Sequence, residues 1–182
     1  MGIWYASQVS EALVRAITRL NAVAGTKGVL LEVAGRVASE CMPVLRSLGA
    51  AFAFRGYITH AEAMTMMSQS DAILVIVNRG INSKGILPGK VFECLASGRP
   101  IMCLTPGPCE CSDLVTRLDA GIHAHIDSEE EIYSCLRRLY DAWESGAAMS
   151  GARREHLHQF DRRELTRRLA ALLDAALYHR QS

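Results

Sequence analysis

The chain has 182 residues, 49% of them apolar, with 20 Lys and Arg against 19 Asp and Glu. This length supports one compact domain with its own core and is too short for two full-sized ones. The formal net charge of +1 creates no field that favours nucleic acid, and no apolar run approaches the roughly 20 residues of a membrane-spanning helix. The N-terminus lacks a secretory pattern, so the sequence predicts a cytoplasmic protein without a membrane span.

Helical and strand patterns alternate along the chain. An amphipathic helix is predicted over 10–23, a strand over 29–34, and a weaker helical stretch from Gly35 to about residue 48. Further strands are predicted at 50–54, 71–77, 100–104 and 121–126, and further helices at 60–70, 89–97, 112–118 and 128–143. The run DAILVIV at 71–77 is typical of a parallel strand with both faces covered. This alternation predicts an α/β fold with an open, doubly wound parallel sheet of Rossmann-like type.

The two ends of the chain depart from the simplest form of that fold. Only residues 1–5 precede the first helix, so the central strand with which such a sheet usually opens is expected to be very short or to lie upstream. Residues 1–145 are predicted to form the sheet domain. Residues 146–182 are predicted to form a hinge, GAAMSG, and a C-terminal helix with leucines along one face that packs on the same domain.

The segment PGKVFECLASGRP at 88–100 carries the chemistry. Ligands of open α/β sheets bind outside the carboxyl ends of the strands, where helix N-termini offer amide groups to phosphate. Gly89 allows the backbone to approach an anion, and Lys90 adds positive charge beside it. Glu93, one turn into the helix, is suited to accept hydrogen bonds from two ribose hydroxyls. On spacing alone, a plain turn followed by a Lys90–Glu93 surface pair explains the segment equally well.

The segment resembles a known family. PGKVFECLASGRPIMCL resembles the P-s-K-l-x-E-y-l-a-x-G-k-P-i-l segment of the group 1 glycosyltransferases, which are retaining, sugar-nucleotide-dependent enzymes of GT-B architecture. Three further stretches, FRGYITHAEAMTMMSQSDAILVIV, DAGIHAHIDSEEEIYSCLRRLY and the opening GIWYASQVSEALVRAITRL, resemble other segments of the same family. Together they cover nearly the whole chain, as the C-terminal, donor-binding half of such an enzyme.

The resemblance implies a function and its partners. This half would hold a nucleoside diphosphate sugar, a UDP- or GDP-sugar, with no metal or other cofactor required. The acceptor would be bound by a separate N-terminal half, which this sequence lacks and which another domain or a partner chain would supply. The chain is therefore expected to be a glycosyltransferase domain of hexosyltransferase type, inactive in isolation. The surface exposed by the missing half is expected to allow self-association.

The resemblance also implies a donor site, whose nine residues are Gly2, Gly35, Arg36, Gly56, Tyr57, Lys84, Gly89, Lys90 and Glu93. Glu93 matches the glutamate that holds the donor ribose, and Gly89 with Lys90 matches the helix start that faces the diphosphate. Gly2 matches the glycine of the first loop, beneath the phosphates.

The remaining residues of the implied donor site lie on the base side and beside the diphosphate. The backbone near Gly56 and Tyr57 would face the nucleobase, and Gly35 with Arg36 would lie near the ribose and phosphate. Lys84 is a candidate cation for the diphosphate. No catalytic residue is assigned.

The sequence departs from the family pattern at two places. Many members have a glutamate, used on the sugar, eight positions before the ribose glutamate, and that position is Gly85 here. Many also have a basic pair after the first glycine, where this chain has Ile3 and then Gln8 or Val9. Without that pair, the site lacks preorganised positive charge for the departing diphosphate. Lys84, Lys90 or Arg15 are candidates to replace it.

These departures leave two alternatives open. The first is a non-catalytic nucleotide-binding or protein-interaction domain of the same fold, and the second, weaker one is an epimerase-like enzyme acting on a sugar nucleotide. A metal centre is disfavoured, because neither His123 with His125 nor Cys109 with Cys111 has a complete ligand pattern. The two histidines are predicted to be polar residues at a strand edge, and most of the cysteines to be buried apolar residues.

Overall fold

The computed structural model describes residues 3–24, 27–80 and 82–179. Within these ranges the structure has seven strands, in chain order β1 Ile3–Trp4, β2 Leu31–Ala34, β3 Arg36–Val37, β4 Phe52–Gly56, β5 Ile73–Ile76, β6 Ile101–Thr105 and β7 Gly121–His125. The helices are α1 Glu11–Ala24, α2 Cys41–Arg46, α3 His60–Gln69, α4 Lys90–Ala96, α5 Glu110–Arg117, α6 Glu129–Glu144, α7 Arg154–Leu157 and α8 Arg162–His179.

All the strand pairs are parallel, and they fall into three groups. β5, β6 and β7 form one ladder in that order, β2 pairs with β4, and β1 pairs with β3. β2 and β3 belong to one run of chain, interrupted at Gly35, so this run contacts β4 on one side and β1 on the other. The mixture of parallel strands and helices confirms the predicted α/β class.

Helices cover both faces of the sheet around β6. Ile101 and Cys103 belong to the apolar cluster that includes residues of α4 and α5. Met102 and Leu104, which alternate with them, belong to the cluster that includes residues of α1 and α6. Because successive side chains of a strand point to opposite faces, β6 separates two apolar layers. Its side chains are correspondingly buried throughout.

The stretch after β2 differs from the prediction. A weak helix was expected from Gly35 onward, yet Gly35 has φ of 108°, and the next two residues form β3. The backbone there pairs with β1, and the Ala38 amide donates to the Trp4 carbonyl over 2.9 Å. The helix begins at Cys41 instead. Strand pairing with distant residues outweighs the local helical preference of this stretch.

The C-terminal segment contacts the domain through its first part. Ala152 is buried, and Leu157 and Phe160 pack against the cluster that contains α4. The Phe160 ring lies 5.2 Å from the Phe92 ring of α4, centroid to centroid. The leucines of α8, in contrast, are between 48% and 69% exposed. The predicted boundary between residues 145 and 146 stays a prediction. The leucines of α8 do not pack into the described core.

Among the described residues, no helix has both the length and the apolar character that crossing a membrane requires.

Candidate functional site

A cavity of about 640 Å³ runs along β2 and β5, from Leu31 and Ala72 at their starts to Arg36 and Asn78 beyond their carboxyl ends. Its lining includes three of the residues implied as a donor site, Arg36 after β2, and Lys90 and Glu93 on α4. Trp4, Tyr5, Gln8, Asn78 and Pro88 line the same cavity. Residues from three separate parts of the chain therefore meet at this edge, as expected for a ligand site of an open α/β sheet.

The start of α4 is built as the sequence predicts. Gly89 precedes the helix with helical φ and ψ of −54° and −30°, and the Val91 amide donates to the Pro88 carbonyl over 2.9 Å. A Cβ added at Gly89 would meet no atom within 4 Å, so open space lies beside this backbone. Lys90 is exposed and Glu93 is half-buried. Among the described residues, no salt bridge joins these two side chains, so the alternative of a Lys90–Glu93 surface pair finds no support.

Cys94 also lines the cavity, next to Glu93. Burial raises the pKa of its thiol to about 11, while the positive charge of Lys90 acts in the opposite direction. At neutral pH the thiol is therefore protonated, and a thiolate is the form that acts as a nucleophile. Cys94 therefore contributes only to the lining of the cavity, and a covalent mechanism through its thiol is disfavoured.

Gln8 has a structural role that the sequence did not reveal. Its side-chain nitrogen Nε2 donates to the Ile76 carbonyl over 2.7 Å, and its Oε1 accepts from the Tyr5 amide over 2.9 Å. The Trp4 indole donates to the Gln8 carbonyl over 3.3 Å. Gln8, which with Val9 is one of the two residues that the resemblance sets against the second basic position, thus ties the loop after β1 to the end of β5.

Arg79, just after β5, was also missed. Its guanidinium donates to the carbonyl oxygens of Ser7 and Val9 over 3.0 and 2.7 Å, and it forms an ion pair with Asp127. The hydrogen bond from Arg79 holds the pKa of the Asp127 carboxyl below its usual range. By its charge Arg79 is a candidate to bind a diphosphate, but its guanidinium is engaged by groups of the protein itself.

Arg15 does not replace the missing basic pair. Its guanidinium lies on the outer face of α1, 2.8 Å from Glu129 and 3.4 Å from Glu11. These two carboxylates raise the pKa of Arg15, with the Glu129 hydrogen bond as the largest cause. The expectation that Arg15 serves the diphosphate is therefore not supported, because both of its close partners are carboxylates away from the cavity.

The other implied donor-site residues that the structure describes follow strand ends or begin a helix near this edge but do not line the cavity. Gly35 and Gly56 both have positive φ, 108° and 65°, which explains glycine at the ends of β2 and β4. The Tyr57 side chain is 70% exposed, and Lys84 is exposed in the loop after β5. Gly2 lies outside the described residues.

The two residue pairs considered as metal ligands, His123 with His125 and Cys109 with Cys111, gain no further ligands among the described residues. β7 is the outer strand of its ladder, as predicted for His123 and His125, and a nitrogen of the His125 ring lies 3.0 Å from the Pro106 carbonyl. Within the described ranges, no group of three or more His, Cys, Asp and Glu side chains is placed to hold a metal ion. Five of the six cysteines are buried, as expected, and Cys135 is half-buried.

Thr105 is a further residue that the sequence did not single out. It ends β6 at the carboxyl edge, and its side chain is fully buried. Within the part of the chain that the structure describes, its hydroxyl Oγ1 has no hydrogen-bond partner. A buried polar atom without a partner is uncommon, because desolvation of the hydroxyl is then uncompensated.

The parallel strands, the helices on both faces and the cavity at the carboxyl edge define a Rossmann-like α/β domain. The solved structures that share this architecture include HepE and WaaG. The crystal structure of HepE from Anabaena in complex with UDP aligns with a TM-score of 0.72 at 14% identity, covering 96% of this chain and 47% of HepE. The crystal structure of WaaG, a glycosyltransferase involved in lipopolysaccharide biosynthesis, aligns with a TM-score of 0.57 at 16% identity, covering 76% of this chain and 35% of WaaG.

These likenesses confirm the predicted Rossmann-like α/β fold. The chain spans less than half the length of either neighbour. No family model and no curated protein matches the sequence. At identities of 14% and 16% the likeness concerns the fold, and fold alone does not determine activity.

Proposed function

We propose that this chain binds the donor nucleotide of a glycosyl-transfer reaction. The observation that carries the proposal is the part of this cavity at the carboxyl edge, which is lined by Arg36 of β3 and by Lys90 and Glu93 of α4. It is supported by the sequence resemblance around Glu93 and by the shared fold of HepE, which was solved with UDP. Two cations and one carboxylate fit a ligand with a diphosphate and a ribose.

The proposed roles follow from charge and position. Lys90, exposed at the start of α4, and Arg36, exposed after Gly35, bind the diphosphate. The Glu93 carboxylate accepts hydrogen bonds from the two ribose hydroxyls. The backbone at Gly56 and Tyr57 receives the base, and Lys84 supplies further positive charge from its loop.

The proposed reaction transfers a sugar from a UDP- or GDP-sugar to an acceptor that a separate half binds. Departure of the nucleoside diphosphate develops negative charge, which fixed cations stabilise more strongly than water does. Transfer also requires donor and acceptor to be held together. The chain by itself is therefore expected to bind donor and to transfer no sugar.

A second candidate, a nucleotide-binding domain without turnover, is favoured by two observations. Gly85 stands where the resemblance places a carboxylate that acts on the sugar. Arg79, a cation near the loop after β1, is engaged with Ser7, Val9 and Asp127. Both candidates predict nucleotide binding, and they differ in turnover once an acceptor half is present.

Calorimetric titration of the 182-residue chain with UDP, GDP and their sugar conjugates tests the proposal. We expect saturable binding to one nucleotide series, with Glu93→Gln weakening it about tenfold or more, because a charged acceptor of hydrogen bonds becomes neutral. Glu110→Gln is the matched control, since Glu110 is also a carboxylate in the first turn of a helix, α5, and it does not line the cavity.

Two results would contradict the donor-binding proposal. One is the absence of heat and of any thermal shift across the whole nucleotide panel. The other is binding that Glu93→Gln and Glu110→Gln weaken equally, since the cavity would then have no special part in it.

A further inference from the structure

Two buried cysteines lie close together between β6 and α5. Cys103 is the middle residue of β6, and Cys111 is the second residue of α5. Their sulfur atoms are 3.6 Å apart, and both residues are fully buried. They belong to one apolar cluster, which also contains Cys94 and Cys109. We name Cys103 and Cys111 the dithiol pair.

The fold brings the two sulfur atoms of the dithiol pair together. β6 ends at Thr105, and the chain returns through residues 106–109 into α5. Cys103 and the buried residues of α5 belong to the same apolar layer, so α5 packs over the face of β6 that Cys103 occupies. A bond between Cys103 and Cys111 would therefore join the strand to the helix that covers it, across a short loop.

The surroundings of the two thiols make them chemically different. The Cys103 thiol donates a hydrogen bond to the Cys111 sulfur, and Cys111 lies in the first turn of α5, where the helix dipole favours negative charge. This hydrogen bond, opposed by burial, lowers the pKa of Cys111, and together with burial it raises the pKa of Cys103. Glu110 and Asp113 of the same turn are exposed, so solvent screens their opposing charge. Cys111 is thus the thiol that more readily becomes a thiolate, the form that reacts with oxidants.

A small oxidant has a short path to the dithiol pair. Pro108 and Glu110 are exposed on either side of Cys109, which is 4% exposed at the start of α5. The first turn of α5 therefore lies directly beneath the surface of the molecule. Hydrogen peroxide is close to water in size, so a local opening of this turn is enough to admit it.

We propose that Cys103 and Cys111 are a modification site at which a peroxide forms an internal disulfide between β6 and α5. The Cys111 thiolate attacks one oxygen of hydrogen peroxide, the O–O bond breaks, and hydroxide leaves with the proton that Cys111 released, as water. Cys111 is then a sulfenic acid. The Cys103 sulfur attacks the Cys111 sulfur, the S–S bond forms, the S–O bond breaks, and the hydroxyl leaves with the Cys103 proton as a second water. Two thiols are oxidised to one disulfide, and one peroxide is reduced to two waters.

Closure of this disulfide requires a small movement and stabilises the fold. The sulfur atoms of a disulfide are about 2.0 Å apart, so the 3.6 Å separation must shorten by about 1.6 Å. The new bond restricts the unfolded chain between residues 103 and 111, which favours the folded state. Neither cysteine lines the cavity of the proposed donor site, so the inference does not depend on nucleotide binding.

Thiol counting and peptide mapping test the proposal on the full chain. All six cysteines are free thiols, and we expect two of them to be lost after treatment with a slight excess of hydrogen peroxide, as counted by alkylation in denaturant. A protease that cleaves after glutamate separates residues 94–110 from residues 111–129. We expect mass spectrometry to find these two peptides joined by a disulfide within one chain, and released from each other by a dithiol reductant.

Single cysteine variants identify the partner of Cys111. Cys103→Ala is expected to abolish the link, whereas Cys94→Ala and Cys109→Ala, which remove the other thiols of the same cluster, are expected to keep it. A link that persists in Cys103→Ala, or that disappears in Cys94→Ala or Cys109→Ala, would overturn the assignment. The mapping of the unaltered chain stands even where a variant fails to fold.

The unfolding midpoint gives an independent readout. We expect the oxidised chain to unfold about 4 °C or more above the reduced chain, and a reductant to reverse the difference. Peroxide is expected to leave the midpoint of Cys103→Ala unchanged, which also controls for oxidation of methionine. Six free thiols after peroxide treatment, disulfides only between chains, or a lower midpoint of the oxidised chain would each overturn the proposal.

Discussion

The buried hydroxyl of Thr105 offers a test at the scale of one residue. Thr105→Val keeps the shape of the side chain and removes a polar atom without a partner in the described structure. We expect the free energy of unfolding to rise by about 1 kcal/mol, since desolvation of the hydroxyl is no longer required. Urea denaturation measures it. Thr105→Ser, which keeps the hydroxyl and loses the methyl group, is expected to lower stability instead.

The opposite result for Thr105 would also be informative. If Thr105→Val lowers stability or weakens nucleotide binding, the hydroxyl has a partner such as an internal water or the ligand. Thr105 ends β6 at the same edge of the sheet as the candidate donor site.

Gly85 allows a direct test of the first departure from the family pattern. A Cβ at Gly85 would meet no atom within 4 Å, so Gly85→Glu introduces a carboxylate without a steric clash. We expect the variant to bind a nucleotide sugar about tenfold more tightly, with binding of the free nucleotide unchanged, because the new carboxylate contacts the sugar. Gly80→Glu is the matched control, since Gly80 lies in the same loop with equally open surroundings.

Calorimetry of both glycine variants with nucleotide and nucleotide sugar provides the measurement. Equal effects of Gly85→Glu and Gly80→Glu would mean that added charge in the loop, and not contact with the sugar, changes the affinity.

At the scale of elements, α8 makes a clear prediction. Leu169 of α8 is 57% exposed, whereas Leu136 of α6 is 8% exposed. Leu169→Ala is expected to change the free energy of unfolding by less than about 0.5 kcal/mol, and Leu136→Ala to lower it by about 2 to 5 kcal/mol. Thermal or urea unfolding compares the two. A loss above about 1 kcal/mol for Leu169→Ala would show that α8 packs on the domain or on a second chain.

The helices and strands also show which elements sequence patterns can predict. The helix α6 begins within one residue of its predicted start, because Ser128 accepts from the Glu131 amide and an apolar face follows. The strand β5 was evident from its unbroken apolar run. β3 was missed, because Arg36 and Val37 become a strand through pairing with β1, and local patterns do not encode that contact.

The candidate donor site shows the same difference between local patterns and long-range contacts. Lys90 and Glu93 were predicted because their spacing on one helix is local information. The engagement of Arg79 by Asp127 joins residues 48 positions apart, and the Gln8 contact with Ile76 joins residues 68 positions apart. Such pairs become visible only when the fold brings the strand ends together.

At the scale of the whole molecule, several carboxylates share one direction of pKa shift. Arg79 lowers the pKa of Asp127, the backbone amide and hydroxyl of Thr59 lower that of Glu62, and Arg167 and Arg168 lower that of Glu164 to about 2. A carboxyl group with a lowered pKa in the folded state stabilises the fold above its unfolded pKa. That contribution is lost as the pH falls through the folded pKa. The chain is therefore expected to lose stability in acid, below about pH 4.

Asp127→Asn tests the contribution that links the loops after β1, β5 and β7. The Asp127 side chain is 59% exposed, so solvent screening limits the ion pair to less than about 1 kcal/mol at pH 7. We expect the variant to be less stable than the wild type at pH 7, and the difference to shrink as Asp127 becomes protonated in acid. Urea unfolding from pH 2 to pH 7 measures it, with Asp174→Asn on exposed α8 as the control. A difference that stays constant over this range would mean that Asp127 acts through packing and not through its charge.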